Sequence, residues 1–207
     1  RRVGSAGGGR GAGAGAAAAV LGGRDVLRGG PNERPAGLAE RVRLVVDRGA
    51  SHASVDEGAL RHVQRRAGDL ARRLLGRRRL PSPSADPGGV GRVLALAYPD
   101  RVAQAMGGGR FRLRHGAGGW VDPHDALAGE AFVVVAQVGE PGRSDRTDDR
   151  ILLAAGLDEQ DLERAAGVDV QRDETILWDP ASDDLRVRTE ARLGALVLSS
   201  VDRRAEP

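Results

Sequence analysis

The hydrophobic pattern changes period partway along the chain, and a proline-rich stretch marks the change. Before residue 80, apolar residues recur at three- and four-residue spacing, as amphipathic helices require. Beyond residue 100 they alternate or bunch in short runs bounded by turn residues, as strands do. Between lies Pro81-Ser82-Pro83-Ser84-Ala85-Asp86-Pro87-Gly88-Gly89. Its three prolines lack backbone donors and forbid a continuous helix or a central strand, so we place a domain boundary there. A helical part followed by a β part defines an α+β chain. Several short strands separated by turn signals predict a small barrel or curled sheet.

Upstream of the boundary, residues 1–15 are Gly-rich and read as a flexible start. Ala16 to Leu21 favours helix, and Gly29 to Pro35 reads as a loop. Leu38, Val42, Val45 and Val46 share one face of a helix predicted over Leu38 to Arg48, with Gly49 as its stop. Ser54-Val55-Asp56-Glu57 has the form of a capping box. It precedes an apolar stripe of Leu60, Val63, Ala67, Leu70, Leu74 and Leu75 that Gly76 closes. Arg61, Arg65, Arg66, Arg72 and Arg73 fall on the other faces, and Arg77 to Arg79 follow.

Downstream, Val93 to Tyr98 is an apolar run ended by Pro99. Arg110-Phe111-Arg112-Leu113-Arg114 alternates strictly, with three arginines on one face of a predicted strand. Trp120 to Asp122 is short, Ala131 to Val138 is strongly apolar, and Ile151 to Ala155 is a further strand. Pro141 to Asp149 is a polar loop. Asp158 caps a short helix that runs to Ala166. Thr175 to Trp178 and Leu185 to Arg188 flank a turn-rich connection, and Leu196 to Leu198 offers a last strand.

Charge follows the same division. All 32 basic residues are arginine, and the chain has neither lysine nor cysteine. Residues 61–119 carry thirteen arginines and three acids, whereas residues 120–207 carry ten arginines and twenty acids. A middle this basic fits a polyanionic partner. Neutralisation of the middle by the acidic end within the fold is the alternative. The absent lysine excludes a P-loop lysine and Schiff-base chemistry. The absent cysteine excludes disulfides, zinc-thiolate sites and thiol nucleophiles, and suits a reducing cytoplasm. Aromatic residues are only 2% of the chain, so its cores must be built from Leu, Val and Ala. No targeting or membrane segment is visible, since Ala16 to Leu21 is far too short for a span.

Catalytic residues do not assemble into a motif. His52, His62, His115 and His124 lack metal-ligand spacing, and Ser199-Ser200 lacks a nucleophile elbow. Asp148-Asp149 and Asp183-Asp184 are adjacent acids in loops, able to hold a cation or simply solvated. Gly107-Gly108-Gly109 lacks the strand before and the helix after that a phosphate loop needs, and reads as a hairpin turn. The binding signal is better. Arg110, Arg112 and Arg114 offer guanidinium forks suited to phosphate from one strand face, as in barrels that hold single strands. A polar face on a half-buried strand is the plainer alternative, and stacking aromatics are scarce there.

One stretch carries a more specific signal. Gly91-Arg92-Val93-Leu94-Ala95-Leu96-Ala97-Tyr98-Pro99-Asp100-Arg101-Val102-Ala103-Gln104 resembles the "LLALAYPDRIA" signature of bacterial HrpB-type ATP-dependent helicases, of the DEAH-box group. Further segments resemble the family's motifs in the same order. They are Gly109 to Leu113 ("GRYLL"), Asp125 to Glu130 ("DPLAGE"), Phe132 to Ala136 ("WLVVA") and Ile151 to Glu159 ("IRLAAPLDE"). Trp178-Asp179-Pro180 and Arg192 to Ser199 are similar to its C-terminal "WDP" and "RRLGALVLS". Ala18 to Leu21 and Arg24 to Gly29 are similar to "ALLSERDLLRG", so the likeness spans most of residues 16–199. Phe111 and Phe132 stand where the family has Tyr and Trp.

The resemblance implies the non-motor, C-terminal part of such a helicase. It divides the chain into a Gly-rich start (1–15), a helical, ratchet-like remnant (16–80) and a linker (81–90). An OB-like β-barrel domain (91–156) and a β-rich C-terminal extension with a hairpin (157–207) follow. The expected function is accessory: to hold single-stranded nucleic acid, with RNA the expected kind, while a motor hydrolyses ATP. Arg110, Arg112 and Arg114 are the expected backbone contacts, with Arg92 and Arg101 next. Arg101 has Asp100 or the acidic C-terminal region as an alternative partner. The family's ATP and Mg²⁺ attach to no residue here, since the chain has no GxxxxGK[ST] and no DEAH sequence. The expected partners are single-stranded nucleic acid and the helicase motor domains, in cis or in trans, in the cytoplasm and with no membrane. The chain does not begin with Met, so it is expected to be a fragment or a trimmed product. Two rivals remain: a protein-interaction or regulatory module acting through the acidic half, and a truncated gene product with no independent role.

Overall fold

A computed structural model describes residues 8–31, 33–47, 49–75, 88–139, 148–166, 169–180 and 183–204. Several sequence expectations lie outside these residues: the start at 1–7, Arg48, the helix stop at Gly76, Arg77 to Arg79, the linker from Pro81 to Pro87, and Pro141 to Thr147 of the polar loop. The described residues form an α+β chain with five α-helices, a closed five-stranded barrel and a separate three-stranded sheet.

Three helices come first: α1 (Gly8–Leu21), α2 (Leu38–Val46) and α3 (Glu57–Leu75). α1 starts earlier than its alanine run suggests. Ala16, Ala17, Ala19 and Val20 are buried, and small side chains let α1 lie close to α3. Of the stripe expected from its spacing, α3 buries Leu60, Val63 and Ala67 and half-buries Leu70, while Ala71, outside that stripe, is buried too. The side chains of Leu74 and Leu75 lie outside the described ones, and Arg61, Arg65, Arg66, Arg72 and Arg73 are exposed.

The capping box at Ser54 does not form. Val55 is held in a bridge to Leu27, and the Asp56 N–H donates to the Val26 carbonyl at 2.8 Å, so the helix begins two residues later than a Ser54 cap requires. Asp56 caps α3 instead, its Oδ1 accepting from the Gly58 and Ala59 N–H groups at 3.0 Å each. The hydrogen bond from Ala59 leads the influences that hold the Asp56 carboxyl below its usual range.

α2 buries Leu38, Val42, Leu44 and Val45 together with Arg41. Arg41 is 1% exposed and survives there because Asp25 faces it. Arg41 Nε and Nη2 donate to the two Asp25 oxygens at 3.0 and 2.9 Å, and Nη1 donates to the Gly37 carbonyl at 2.8 Å. The Leu27 N–H donates to Asp25 Oδ1 at 3.0 Å, and Arg34 Nη1 to Oδ2 at 3.1 Å. Burial pushes the Asp25 carboxyl up, but the bonds from Arg41 and Leu27, with the nearby positive charge, outweigh it and hold the group below the usual carboxylate range.

The helix α4 (Gly88–Ala97) takes up Gly88, Gly89 and Val90 of the linker expected over 81–90 and packs across the barrel. It touches at Gly91, where any side chain would collide with the Gly156 carbonyl. A 3₁₀ turn at Pro99–Arg101 ends the run and leads into the barrel.

The barrel strands are β1 (Val102–Gly107), β2 (Arg110–Leu113), β3 (Gly118–Trp120), β4 (Phe132–Val138) and β5 (Asp149–Leu157). Their order around the barrel is β1-β2-β3-β5-β4, closed by β4 on β1. Every pair is antiparallel except β3 with β5. β1 was not legible as a strand. Gly107, Gly108 and Gly109 all have positive φ and make the turn into β2.

Phe111, Leu113, Val133, Val135, Ile151 and Ala154 fill the barrel interior. Phe132, Val134, Leu153, Ala155 and Leu157 point the other way, into the core shared with the helices. β4 is therefore apolar on both faces, which is why it reads as an unbroken run rather than an alternation.

After α5 (Glu159–Ala166), whose Asp158 cap accepts from the Asp161 N–H at 2.7 Å, the chain forms a meander. Its strands are β6 (Gln171–Asp179), β7 (Asp184–Leu193) and β8 (Leu196–Arg204). The sheet is anchored at its β7–β8 turn. Leu193 and Leu196 are fully buried, the Ala195 N–H donates to the Arg114 carbonyl at 2.8 Å, and Gln104 Nε2 donates to the Val197 carbonyl at 2.8 Å. Among the described residues no helix is long and apolar enough to cross a membrane.

Candidate nucleic-acid interface

The five arginines singled out by the sequence separate into two groups. β2 alternates as expected: Phe111 and Leu113 are buried while Arg110 and Arg112 are exposed. These two project together from the outer face of the barrel. Arg112 makes no ion pair among the described residues. Arg110 Nη2 lies 2.9 Å from Asp148 Oδ2, and its side chain is 67% exposed.

The other three are drawn into the fold. Arg114 is half-buried, donating to Asp169 at 3.0 Å and to the Pro99 carbonyl at 3.4 Å. Arg92 on α4 pairs at 3.2 Å with Asp161 of α5, whose side chain is 5% exposed. Arg101 lies 5.8 Å from the centre of the Tyr98 ring and donates to the Ala136 carbonyl at 3.3 Å. Asp100 is not the partner that the Arg101 side chain takes. The geometry therefore gathers Arg110 and Arg112 on one surface and uses Arg114, Arg92 and Arg101 to join elements.

The strand register brings further residues to the Arg110 face. Arg110 stands opposite Trp120 and Arg112 opposite Gly118. Gly119, between them, lies against Ile151 and Leu113 in the interior, so Gly118 and Trp120 belong to the outer face with the two arginines. On the other side of Trp120, the parallel pairing places Arg150. Its guanidinium carbon lies 4.7 Å from the Trp120 ring centre, within cation–π range. Asp148 closes over Gly118, where any side chain would collide with its carboxylate. Nearby, Asp122 is held below the usual carboxylate range, chiefly by the His124 backbone N–H and then its ring.

Trp120, Arg150 and Asp148 were not nominated from the sequence as parts of this surface. Trp120 sits in a three-residue strand of which two are glycine, so no alternation announces which way it points. Arg150 reaches the face only through a parallel pairing thirty residues away, a distance that local patterning cannot bridge. Asp148 and Asp149 were candidates for a cation. In the fold Asp148 turns to Arg110, and no group of three or more His, Cys, Asp or Glu able to hold a metal occurs among the described residues.

Comparison with known proteins gives a consistent family relation. No family model matches the chain. It is 27% identical over 169 residues to the ATP-dependent RNA helicase HrpB of Escherichia coli (strain K12), covering 81% of this chain and 21% of that protein. The crystal structure of the E. coli DExH-box NTPase HrpB matches 95% of the chain with a TM-score of 0.63 and 25% identity. A crystal structure of the Escherichia coli DEAH/RHA helicase HrpB matches 93% with a TM-score of 0.55 and, at 23% identity, speaks to the fold alone. The chain thus resembles HrpB-type helicases, as its motifs indicated, and a C-terminal HrpB region fits. It spans about a fifth of the length of these relatives.

Proposed function

We propose that this chain is an accessory, non-motor part of an HrpB-type helicase, and that its barrel holds single-stranded nucleic acid. The strand order supports an OB-like assignment. OB folds are five-stranded barrels that bind oligonucleotides on the face of their second and third strands, and Arg110 and Arg112 lie on that face. RNA is the proposed ligand because the curated relative is named an RNA helicase. The three N-terminal helices would be the remnant of a ratchet-like domain. ATP and Mg²⁺ would be handled by motor domains, in cis or in trans, and the setting would be the cytoplasm.

The carrying observation is that two neighbouring arginines project outward from β2 of a closed barrel in a chain that resembles a helicase. Guanidinium groups placed this way suit phosphate oxygens. The test is the salt dependence of binding to a short fluorescent single-stranded RNA, read by anisotropy. Arg110→Ala with Arg112→Ala should weaken binding and flatten the slope of log affinity against log salt by about 0.7 per lost phosphate contact. Unchanged affinity and slope would overturn the assignment.

A second reading has its own support. Ile176, Trp178, Leu185 and Val201 are all exposed, and the register puts them on one face of the meander. Four exposed apolar side chains on one sheet face fit protein contact, and the motor domains of an HrpB-type helicase are the partner this reading names. It predicts no RNA binding by the chain alone and association with the motor domains in trans.

A further inference from the structure

We infer that Trp120 is a base-stacking position and that Arg110 and Arg150 flank it as phosphate contacts on either side. The inference rests on the nucleic-acid reading above and adds to it the part of the ligand that phosphate contacts alone do not address.

Three strands run side by side here, and one outward residue from each stands in a row. Arg110 on β2 pairs with Trp120 on β3, which pairs with Arg150 on β5. The row therefore presents cation, aromatic ring, cation across the barrel. Glycine at 118 and the inward turn of Gly119 leave the indole as the only large side chain that β3 contributes to this surface. Trp120 is half-buried, between the exposed Arg110 and the half-buried Arg150.

The chemistry of the row matches a nucleotide better than a bare polyanion. An indole face stacks on any base, and a guanidinium that already lies over that face at 4.7 Å can stack on a base or turn to a phosphate. Sulfate-like or carboxylate ligands would use the arginines and gain nothing from the ring. A single-stranded nucleic acid uses both, because its unpaired bases expose π faces beside the charged backbone. A duplex, with its bases stacked on one another, would not reach Trp120.

The chain has two tryptophans, and the second, Trp178, is 57% exposed on the distant meander. Replacing it (Trp178→Phe) makes Trp120 the sole indole reporter of the full chain. This protein is titrated with single-stranded oligo(A), with an abasic oligomer of equal length, and with the matching RNA duplex. The expected result is quenching of Trp120 by oligo(A) and little or none by the abasic oligomer or the duplex. Trp120→Ala should weaken oligo(A) binding by about 5- to 150-fold with the salt slope unchanged. Trp120→Tyr should retain most of the affinity, and it decides the matter if the alanine variant does not fold.

Binding of oligo(A) that depends on Arg110 and Arg112 but neither quenches Trp120 nor responds to its substitution would overturn the stacking inference and leave the nucleic-acid reading standing. Equal binding and equal quenching by the abasic oligomer would overturn it too, because the ring would then be sensing phosphate. Absence of any binding at low salt would sink both.

Discussion

Asp148 holds Arg110 in place: its Oδ2 lies 2.9 Å from Arg110 Nη2, across a glycine that has no side chain to keep them apart. This carboxylate occupies the guanidinium that β2 would otherwise offer to a phosphate. Asp148→Asn should therefore tighten binding to single-stranded RNA. An exposed pair of this kind is worth about 0.2–1 kcal/mol, so the gain should be roughly 1.5- to 5-fold, measured by anisotropy at fixed salt. Weaker binding would mean that Asp148 orients Arg110 for its ligand rather than competing with it.

Arg92 and Arg114 should behave differently from Arg110 and Arg112. Arg92 satisfies Asp161, which is buried between α4 and α5, and Arg114 ties the barrel to Asp169 and Pro99. Arg92→Ala should lower unfolding stability by about 1–3 kcal/mol, the cost of leaving a buried carboxylate less satisfied. Arg164 also bonds Asp161 and should keep the loss toward the lower end. The salt slope of RNA binding by the folded variant should not change. Urea unfolding and a salt series on the same preparations separate the two effects, and a flattened slope for Arg92→Ala would return it to the interface.

The buried Arg41 makes Asp25 the most consequential acid in the helical part. Asp25→Ala leaves the guanidinium unpaired at a fully buried position, and should destabilise the chain by about 3–5 kcal/mol. The pair also gives a pH dependence of known sign. The folded-state pKa of Asp25 is lowered, so the unfolded chain takes up the proton more readily. Its contribution is fully present above the ordinary carboxylate pKa of about 3.9 and is lost as pH falls through the lower folded value. Urea midpoints measured from neutral to acid pH should decline over that window, and Asp25→Asn should blunt the decline.

Gly91 should be intolerant of any side chain. α4 lies on β5 at this residue, and a methyl group would meet the Gly156 carbonyl. Gly91→Ala should destabilise the chain by about 1–3 kcal/mol, as overpacking does, although alanine favours helix elsewhere. The thermal midpoint is the measurement, and an increase would show that helix propensity wins over the close approach.

What the sequence made legible was whatever repeats over a few residues. The period of Leu60, Val63 and Ala67 gave the buried face of α3, and the alternation about Phe111 gave both faces of β2. Asp158 was recognisable as a cap because the N–H it accepts from, that of Asp161, lies in its own turn. Ser54 failed as a cap because a bridge from Val55 to Leu27, residues far apart in sequence, set the helix start. The same limit applies to the candidate site. Arg110 and Arg112 declare themselves locally, whereas Arg41 is buried because Asp25 reaches it, and Trp120 gains its flanking cations only through pairing across three strands. Arg92 and Arg101 stood out by their place in a motif, which says nothing of the carboxylate or carbonyl that holds each in the fold.

The two faces of the C-terminal meander differ in exposed apolar area, and the difference can be tested without disturbing the barrel. One face carries a ladder of ion pairs, including Arg188 with Asp202 at 2.8 Å and Arg186 with Asp179 at 2.9 Å. The other presents Ile176, Trp178, Leu185 and Val201 to solvent, beside a pair of Arg203 with Glu174 at 3.2 Å. Burying those side chains against a partner removes apolar surface from water at about 25 cal/mol per Å², and aromatic anchors dominate such contacts. Ile176→Ser with Trp178→Ser should leave folding stability within about 1 kcal/mol, since both side chains are already exposed. The same change should weaken association with HrpB-type motor domains at least about tenfold if this face is the docking surface, read by calorimetry with the two parts mixed in trans. Affinity equal to that of the parent chain would exclude this face from the contact, whatever the barrel does with RNA.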